Sequence, residues 1–337
     1  MSDSFDNEYT TYRDSLFLTR SADNWMRLAS YRGPLVPLFG ELWLSGELSV
    51  LFADTGVGKS VLAMQIAASI ATGVPIAPFD HAIEPQPVLY IDFELSEAQF
   101  AARYAEVGPD GALSNPYAFG PNFIRAELPV TYEMPAEFQN DYRHFMQVSL
   151  RRALARTGAR ILIVDNITWL TRSTQVQVDA LRLMKFLKQL KYEAGLSILV
   201  LAHTPKRHLA RTLTVNDLQG SKMIANFADN IFAMGVSAVE RNLRYLKHIK
   251  PRSTELKYDA SNVIVYRLEK KRNFLGFTFT DYGTERSHLA GHLGPNYNEK
   301  TTLKPLAREL ALQGKTQREI AAELNISLAT VNRYLKK

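Results

Sequence analysis

The sequence predicts an α/β protein on a parallel central sheet, followed by a small all-α domain, and three observations predict it. From about residue 42 to 289, short apolar runs alternate with longer helical stretches, the pattern of βαβ units. A Gly-Lys-Ser loop stands between one such run and a helical run. The last 35 or so residues read as three short helices, and Thr301–Lys337 carries seven basic residues against three acidic. The chain has 337 residues, enough for one large domain and a small one. The expected division is an N-terminal arm over 1–38, the main domain over 39–290, a linker over 291–302 and the helical module over 303–337.

Residues 1–38 are polar with scattered aromatics (Tyr9, Tyr12, Phe17, Trp25, Tyr31). They suit an arm that packs on the main domain or on a neighbouring subunit. The expected core strands are Glu47–Ala53, Val88–Phe93, Arg160–Val164 and Ser197–Ala202, largely apolar as strands covered on both faces should be. Tyr245–Ile249, Val263–Leu268 and Phe274–Thr280 read as later strands. Glu106–Glu137, rich in Pro, Gly and Asn, reads as an irregular insertion, and Gly291–Lys300 as a linker.

Composition excludes several chemistries. With no cysteine there is no thiolate metal site, thiol nucleophile or disulfide, which fits a cytoplasmic location. The seven histidines show no zinc-ligand spacing. No apolar run approaches the roughly 20 residues that cross a bilayer, so no membrane partner is expected. The net charge of +6 sits mostly in the last 37 residues and points to the tail as a polyanion contact.

The phosphate loop is the strongest single signal. Asp54, Thr55, Gly56, Val57, Gly58, Lys59 and Ser60 follow the strand ELSVLFA and precede the helical run Val61–Ala71. Glycines let successive backbone N–H groups face an anion, and the helix N-terminus adds a positive dipole. Lys59 would reach the β- and γ-phosphates of ATP and the Ser60 hydroxyl would ligate Mg²⁺. The pattern wants glycine at its first position, and this chain has Ala53.

Two further strands end in acids. Ile161–Val164 presents Asp165 at the strand edge where ligands sit in open α/β sheets, a place for the Mg²⁺ shell. Val88–Phe93 runs into Glu94, and strand alternation puts Asp92 and Glu94 on one side, so either could orient the attacking water. The run Ile198–Ala202 leads to His203, a polar group placed to sense the γ-phosphate, although a lone histidine is more often structural.

The ordered series resembles RecA-like P-loop ATPases, specifically the hexameric group of DnaB-type and plasmid RepA-type helicases with their mobile-element relatives. The matching segments are Trp43-Leu44 through Gly46-Glu47-Leu48, ADTGVGKSVLAMQIAASIATG, VLYIDFELSEAQ, ILIVDN, ILVLAHTPKR, and Gly220-Ser221 with Ala228-Asp229; with the later strands they span roughly Glu41 to Leu289, about three quarters of the chain. Alanine at the first loop position also occurs in that group. The resemblance implies that Glu94 is the catalytic acid. It implies that ATP lies between subunits of a ring, completed by a Lys-x-Arg pair matched here by Lys250-Pro251-Arg252. It further implies that loops lining the channel hold single-stranded DNA; Lys206, Arg207 and Arg211 lie in the corresponding place. The separate N-terminal helical domain of DnaB-type helicases has no counterpart in the first 38 residues.

In the tail, Gly314 stops the first helix (Leu303–Gln313), and Thr316-Gln317-Arg318-Glu319 is a capping box opening the second. Asn325 and Ser327 shape the turn and cap the third helix, Leu328–Lys336. Leu310, Ile320, Leu324, Ile326, Val331 and Leu335 supply a core. The segment GKTQREIAAELNISLATVNRYLKK resembles the helix-turn-helix of resolvases and sigma-like regulators. That assigns Thr330, Asn332, Arg333 and Lys336 to duplex DNA. The combined expectation is a DNA-dependent ATPase, assembled as a homo-hexamer and acting as a helicase-like or remodelling motor. The alternative is an ATP-switched DNA-binding regulator without unwinding.

Overall fold

The computed structural model describes residues 19–129, 134–138, 141–166, 176–204, 210–218, 221–290, 304–324 and 328–335. Its contacts divide the chain into Met1–Val36 and Pro37–Lys337. In the first unit α1 (Ala22–Arg32) is capped by the Ser21 hydroxyl, which accepts from Asn24 N. Trp25, Met26 and Tyr31 on this helix are exposed.

In the second unit, β1 (Leu48–Ala53), β2 (Val88–Asp92), the hairpin β3 (Glu106–Val107) and β4 (Leu113–Ser114), β5 (Phe123–Glu127), β6 (Ile161–Asp165), β7 (Ser197–His203), β8 (Asn230–Val236), β9 (Leu243–Lys250), β10 (Val263–Lys271) and β11 (Phe274–Gly283) are the strands. Nine of them form one sheet in the order β11-β10-β9-β8-β1-β7-β6-β2-β5. The strands from β8 to β5 in that order pair in parallel, and β9, β10 and β11 extend the sheet antiparallel. Strand alternation splits the core into two layers. Leu51, Val88, Ile163 and Leu199 pack with α2 (Lys59–Thr72) on one face. Leu48, Val50, Leu162 and Ile198 pack with α4 (Tyr142–Thr157) and α5 (Val176–Ala194) on the other. The parallel α/β core expected from the sequence is therefore present, with β1 and its phosphate loop near the middle.

Two expectations are corrected. Glu106–Glu137 is not wholly irregular: it contains the β3–β4 hairpin and the edge strand β5. The run Phe123–Glu127 mixes polar and apolar residues because an edge strand is only half-buried. β8 was not anticipated, yet it pairs directly with β1. Its Gly235 is required, since a Cβ there would lie 2.2 Å from the Tyr245 ring on β9. Leu38, assigned to the arm, already belongs to the buried core beside Phe39.

The tail forms α7 (Lys304–Leu312), α8 (Gln317–Glu323) and α9 (Leu328–Leu335). Gly314 takes φ +84° after α7, and the Thr316–Glu319 capping box opens α8 with both reciprocal bonds made. Ala307, Leu310, Ile320, Val331 and Tyr334 form its core, so the third helix is anchored by a tyrosine as well as by the expected Val331. Arg308 Nε donates to the Tyr334 carbonyl and ties α7 to α9.

Candidate functional site

The strands β1, β2, β6 and β7 all end on the same edge of the sheet, and each delivers one polar group there. β1 runs into the phosphate loop. Ala53 stays in register opposite His203 as an ordinary strand residue, so its methyl costs the loop nothing. The turn is made by Gly56 (φ +77°) and Gly58 (φ +113°), and a Cβ at Gly58 would meet Phe277 at 2.8 Å. Arg244, buried on β9, donates from Nε to the Val57 carbonyl at 2.8 Å and holds the loop from behind.

Lys59 Nζ donates to the Ala53 and Asp54 carbonyls at 2.8 and 3.0 Å and lies 3.2 Å from His203 Nδ1. Burial lowers its pKa, opposed by the charges of Asp165, Glu94 and Asp54. His203 bridges the site. Its Nδ1 faces Lys59 and Thr55, while its Nε2 lies 3.6 Å from Glu94 Oε1 and 2.9 Å from Asn166 Nδ2. Asn166 Nδ2 in turn donates to Glu94. The hydrogen bond from His203 is the main cause that holds the Glu94 carboxyl below its ordinary range. Glu94 is thus kept ionised and oriented beside the phosphate loop.

Asp92, the competing acid, has a different task. Its Oδ1 accepts from Glu94 N and Leu95 N at 3.0 and 2.9 Å, and its Oδ2 accepts from Arg125 Nε at 3.0 Å. All its acceptor capacity shapes the turn that presents Glu94. Asp165 is buried, accepts from the Tyr90 hydroxyl at 2.7 Å and is bonded by Ser60. Burial pushes its pKa up to about 6. Ser60 and Asp165 fit Mg²⁺: they are hard oxygen donors on adjacent elements, and this ion takes few protein ligands and fills its octahedron with water and phosphate. Among the described residues, no group of three or more histidines or acids is arranged for another metal.

Thr55, Gly58, Lys59, Ser60, Glu94 and His203 line a cavity of about 470 Å³, with Leu268 and Leu275 forming an apolar wall. Arg103, on α3 (Glu97–Tyr104), also lines it. Arg103, Asn166 and Arg244 were given no role from the sequence. Only Asn166, the last residue of the quoted ILIVDN segment, carried a signal that could have found it.

Residues 18–208 match the family model described as an AAA domain, more than half of the chain. The chain belongs to the AAA domain family. The AAA domain here is a P-loop ATPase domain in which Lys59 and Ser60 occupy the phosphate loop. Residues 313–337 match a family model described as a winged helix-turn-helix DNA-binding domain. Among solved structures, the KaiC-like protein PH0186 from the hyperthermophilic archaeon Pyrococcus horikoshii OT3 is similar, at 15% identity and a TM-score of 0.46 over 73% of this chain and 96% of that one. No curated protein matches the sequence.

The remaining expected residues lie elsewhere. Lys250 Nζ donates to the Ala225 and Ala228 carbonyls, and Arg252 Nη1 pairs with Asp229 Oδ1 at 2.6 Å. Both are at the opposite edge of the sheet from the phosphate loop, since Lys250 pairs with Ile231 at the start of β8. Arg211 is exposed, whereas Lys206 and Arg207 lie outside the described residues. In the tail Asn332 is exposed and Thr330 half-buried; the Arg333 side chain and Lys336 are outside the described residues. Among the described residues no helix is long and apolar enough to cross a membrane.

Proposed function

We propose that this chain is a DNA-dependent ATPase that hydrolyses ATP at the interfaces of a homo-oligomeric ring, hexameric by resemblance to DnaB- and RepA-type helicases, and works as a helicase-like or DNA-remodelling motor. The observation that carries hydrolysis is that Lys59, Ser60, Glu94 and His203 line one cavity, with the buried Asn166 bonding Glu94 and His203 from behind. Lys59 and the loop N–H groups bind the phosphates, and Glu94 orients and accepts a proton from the attacking water. His203 links Glu94 to the phosphate end of the site, so γ-phosphate loss can be felt by the segment that follows β7. Mg²⁺, held by Ser60 with Asp165 in its shell, would neutralise charge on the β- and γ-oxygens.

The position of Arg252 supports action between subunits. β1 has its phosphate loop at one end and Leu48 N bonded to Asp229 Oδ2 at the other. A strand of 6 residues spans about 20 Å. A guanidinium paired with Asp229 therefore cannot reach its own Lys59, and any role on ATP falls to the ATP of a neighbour. Turnover should rise when single-stranded DNA is added, and Lys59→Ala and Arg252→Ala should each be inactive alone. Mixing the two variants should restore part of the activity; unchanged turnover with saturating DNA would sink the motor reading. In that case the helix-turn-helix tail favours an ATP-switched regulator binding duplex sites without unwinding.

A further inference from the structure

The outer face of α4 and α5 carries a charge that neither the ATP site nor the tail uses. α4 holds Arg143, Arg151, Arg152 and Arg156 and no acid. Arg160 follows it, and α5 adds Arg182, Lys185, Lys188 and Lys191 against Asp179 and Glu193. Nine basic residues against two acidic outweigh the net charge of the whole chain, +6. Some of these cations are used internally. Arg151 pairs with Glu193 and lies over the Phe186 ring, and Lys191 pairs with the buried Asp229. Arg152, Arg156, Arg160 and Lys185 are exposed, and no ion pair is made to them among the described residues.

Position brings them together. Arg152 and Arg156 are one helical turn apart and share a face. Arg160 and Arg151 border a shallow hollow with Gly158, Glu193 and Ala194, and the Arg160 guanidinium reaches over Gly195 at the end of α5. Tyr192, 70% exposed, stands at the same helix end. The helix dipole accounts for a cation in the last turn of each helix, a small term that fades within that turn. It does not account for Arg152, which lies before the last turn, nor for the lack of any acid along α4.

We infer that this face is a second nucleic-acid contact, which grips the phosphate backbone of DNA without reading its sequence. Guanidinium groups suit phosphate by bidentate geometry, and an exposed tyrosine among them offers a stacking platform for an unpaired base. The face lies on the AAA domain itself, so it would hold DNA independently of the helix-turn-helix.

The test uses the full chain with the triple variant Arg152→Gln, Arg156→Gln, Arg160→Gln. Fluorescence anisotropy on a labelled single strand and a labelled duplex of arbitrary sequence, from 50 to 200 mM salt, gives affinity and salt slope. Each lost phosphate contact lowers the slope by about 0.9 on duplex and about 0.7 on a single strand, so the triple variant should lose about 2 to 3 units and about tenfold in affinity at mid-range salt. Basal ATP hydrolysis and the melting temperature should stay unchanged, and the triple lysine variant should restore the slope. If the triple variant fails to fold, Arg152→Gln alone must still lower the slope by about one. An unchanged slope in a folded variant overturns the proposal. So does a loss confined to self-association or to binding of anionic lipid vesicles, with DNA affinity intact.

Discussion

The two edges of the central sheet are made by the same strands and carry opposite chemistry. At the C-terminal edge, Glu94 and Asp165 gather around one ammonium and one imidazole, and Lys59, Ser60, Glu94 and His203 line a shared cavity. At the N-terminal edge, Lys191 and Arg252 pair with the buried Asp229, and the pKa of nearby Lys250 is lowered first by burial and then by repulsion from Arg252. One edge concentrates anions that need a cation, and the other concentrates cations that need an anion. The two charge clusters therefore sit at opposite ends of the same strands, about 20 Å apart by strand geometry, which is why the proposed role of Arg252 on ATP needs a second subunit.

The largest expected effect breaks the cationic edge. Arg252→Ala should lower ATP turnover by about a thousandfold, the scale of a lost arginine finger, with nucleotide affinity nearly unchanged; steady-state kinetics beside equilibrium binding checks it. On the anionic edge, Glu94→Gln should lower turnover by about a hundredfold to a thousandfold while ATP stays bound, measured by single-turnover hydrolysis. The same change at Asp92 should instead destabilise the fold, because its acceptors hold the Glu94 turn.

Asp165 sharpens the comparison through stability. Its folded pKa of about 6 exceeds the ordinary 3.8, so the native state binds the proton more tightly than the unfolded chain. The contribution of Asp165 to stability is thus greatest below about pH 4, falls as pH rises towards 6, and stays reduced above. Asp165→Asn should remove that penalty and stabilise the metal-free protein by about 3 kcal/mol at pH 7.5, with little change near pH 4. Urea unfolding at both pH values reads this, and hydrolysis should be lost in the same variant. The smallest effect is expected at Thr204, whose hydroxyl bonds Asp54 and ties the end of β7 to the phosphate loop. Thr204→Val should weaken ATP binding about fivefold by calorimetry, the scale of one hydrogen bond.

The sequence made the C-terminal edge readable because its chemistry demands particular residues at strand ends. Gly58-Lys59-Ser60, Asp165 and His203 each follow an apolar run; the phosphate loop and His203 line one cavity, and Asp165 is buried beside it, bonded by Ser60. The choice between Asp92 and Glu94 was not readable from alternation, since β2 stops at Asp92 and the chain turns there. Arg103 and Arg244 were invisible for a different reason. They reach the site from a helix and from an antiparallel strand, and nothing local in sequence marks a side chain whose partner is 187 residues away. β5 was missed because it is a half-buried edge with mixed polarity, and β8 because it directly follows Ala228-Asp229, quoted only as part of a matching segment.

Arg244 also bears on where the ATPase can be cut. The AAA family match ends at residue 208, before β8, β9 and β11. Yet β1 is hydrogen-bonded to β8 on one side, its loop hangs on Arg244 of β9, and Gly58 is packed against Phe277 of β11. A fragment ending at the family boundary would turn β1 into an open edge, inviting the chain-to-chain pairing that exposed strand edges promote. The smallest autonomous ATPase in this chain therefore extends through β11, well past the part by which its family is recognised.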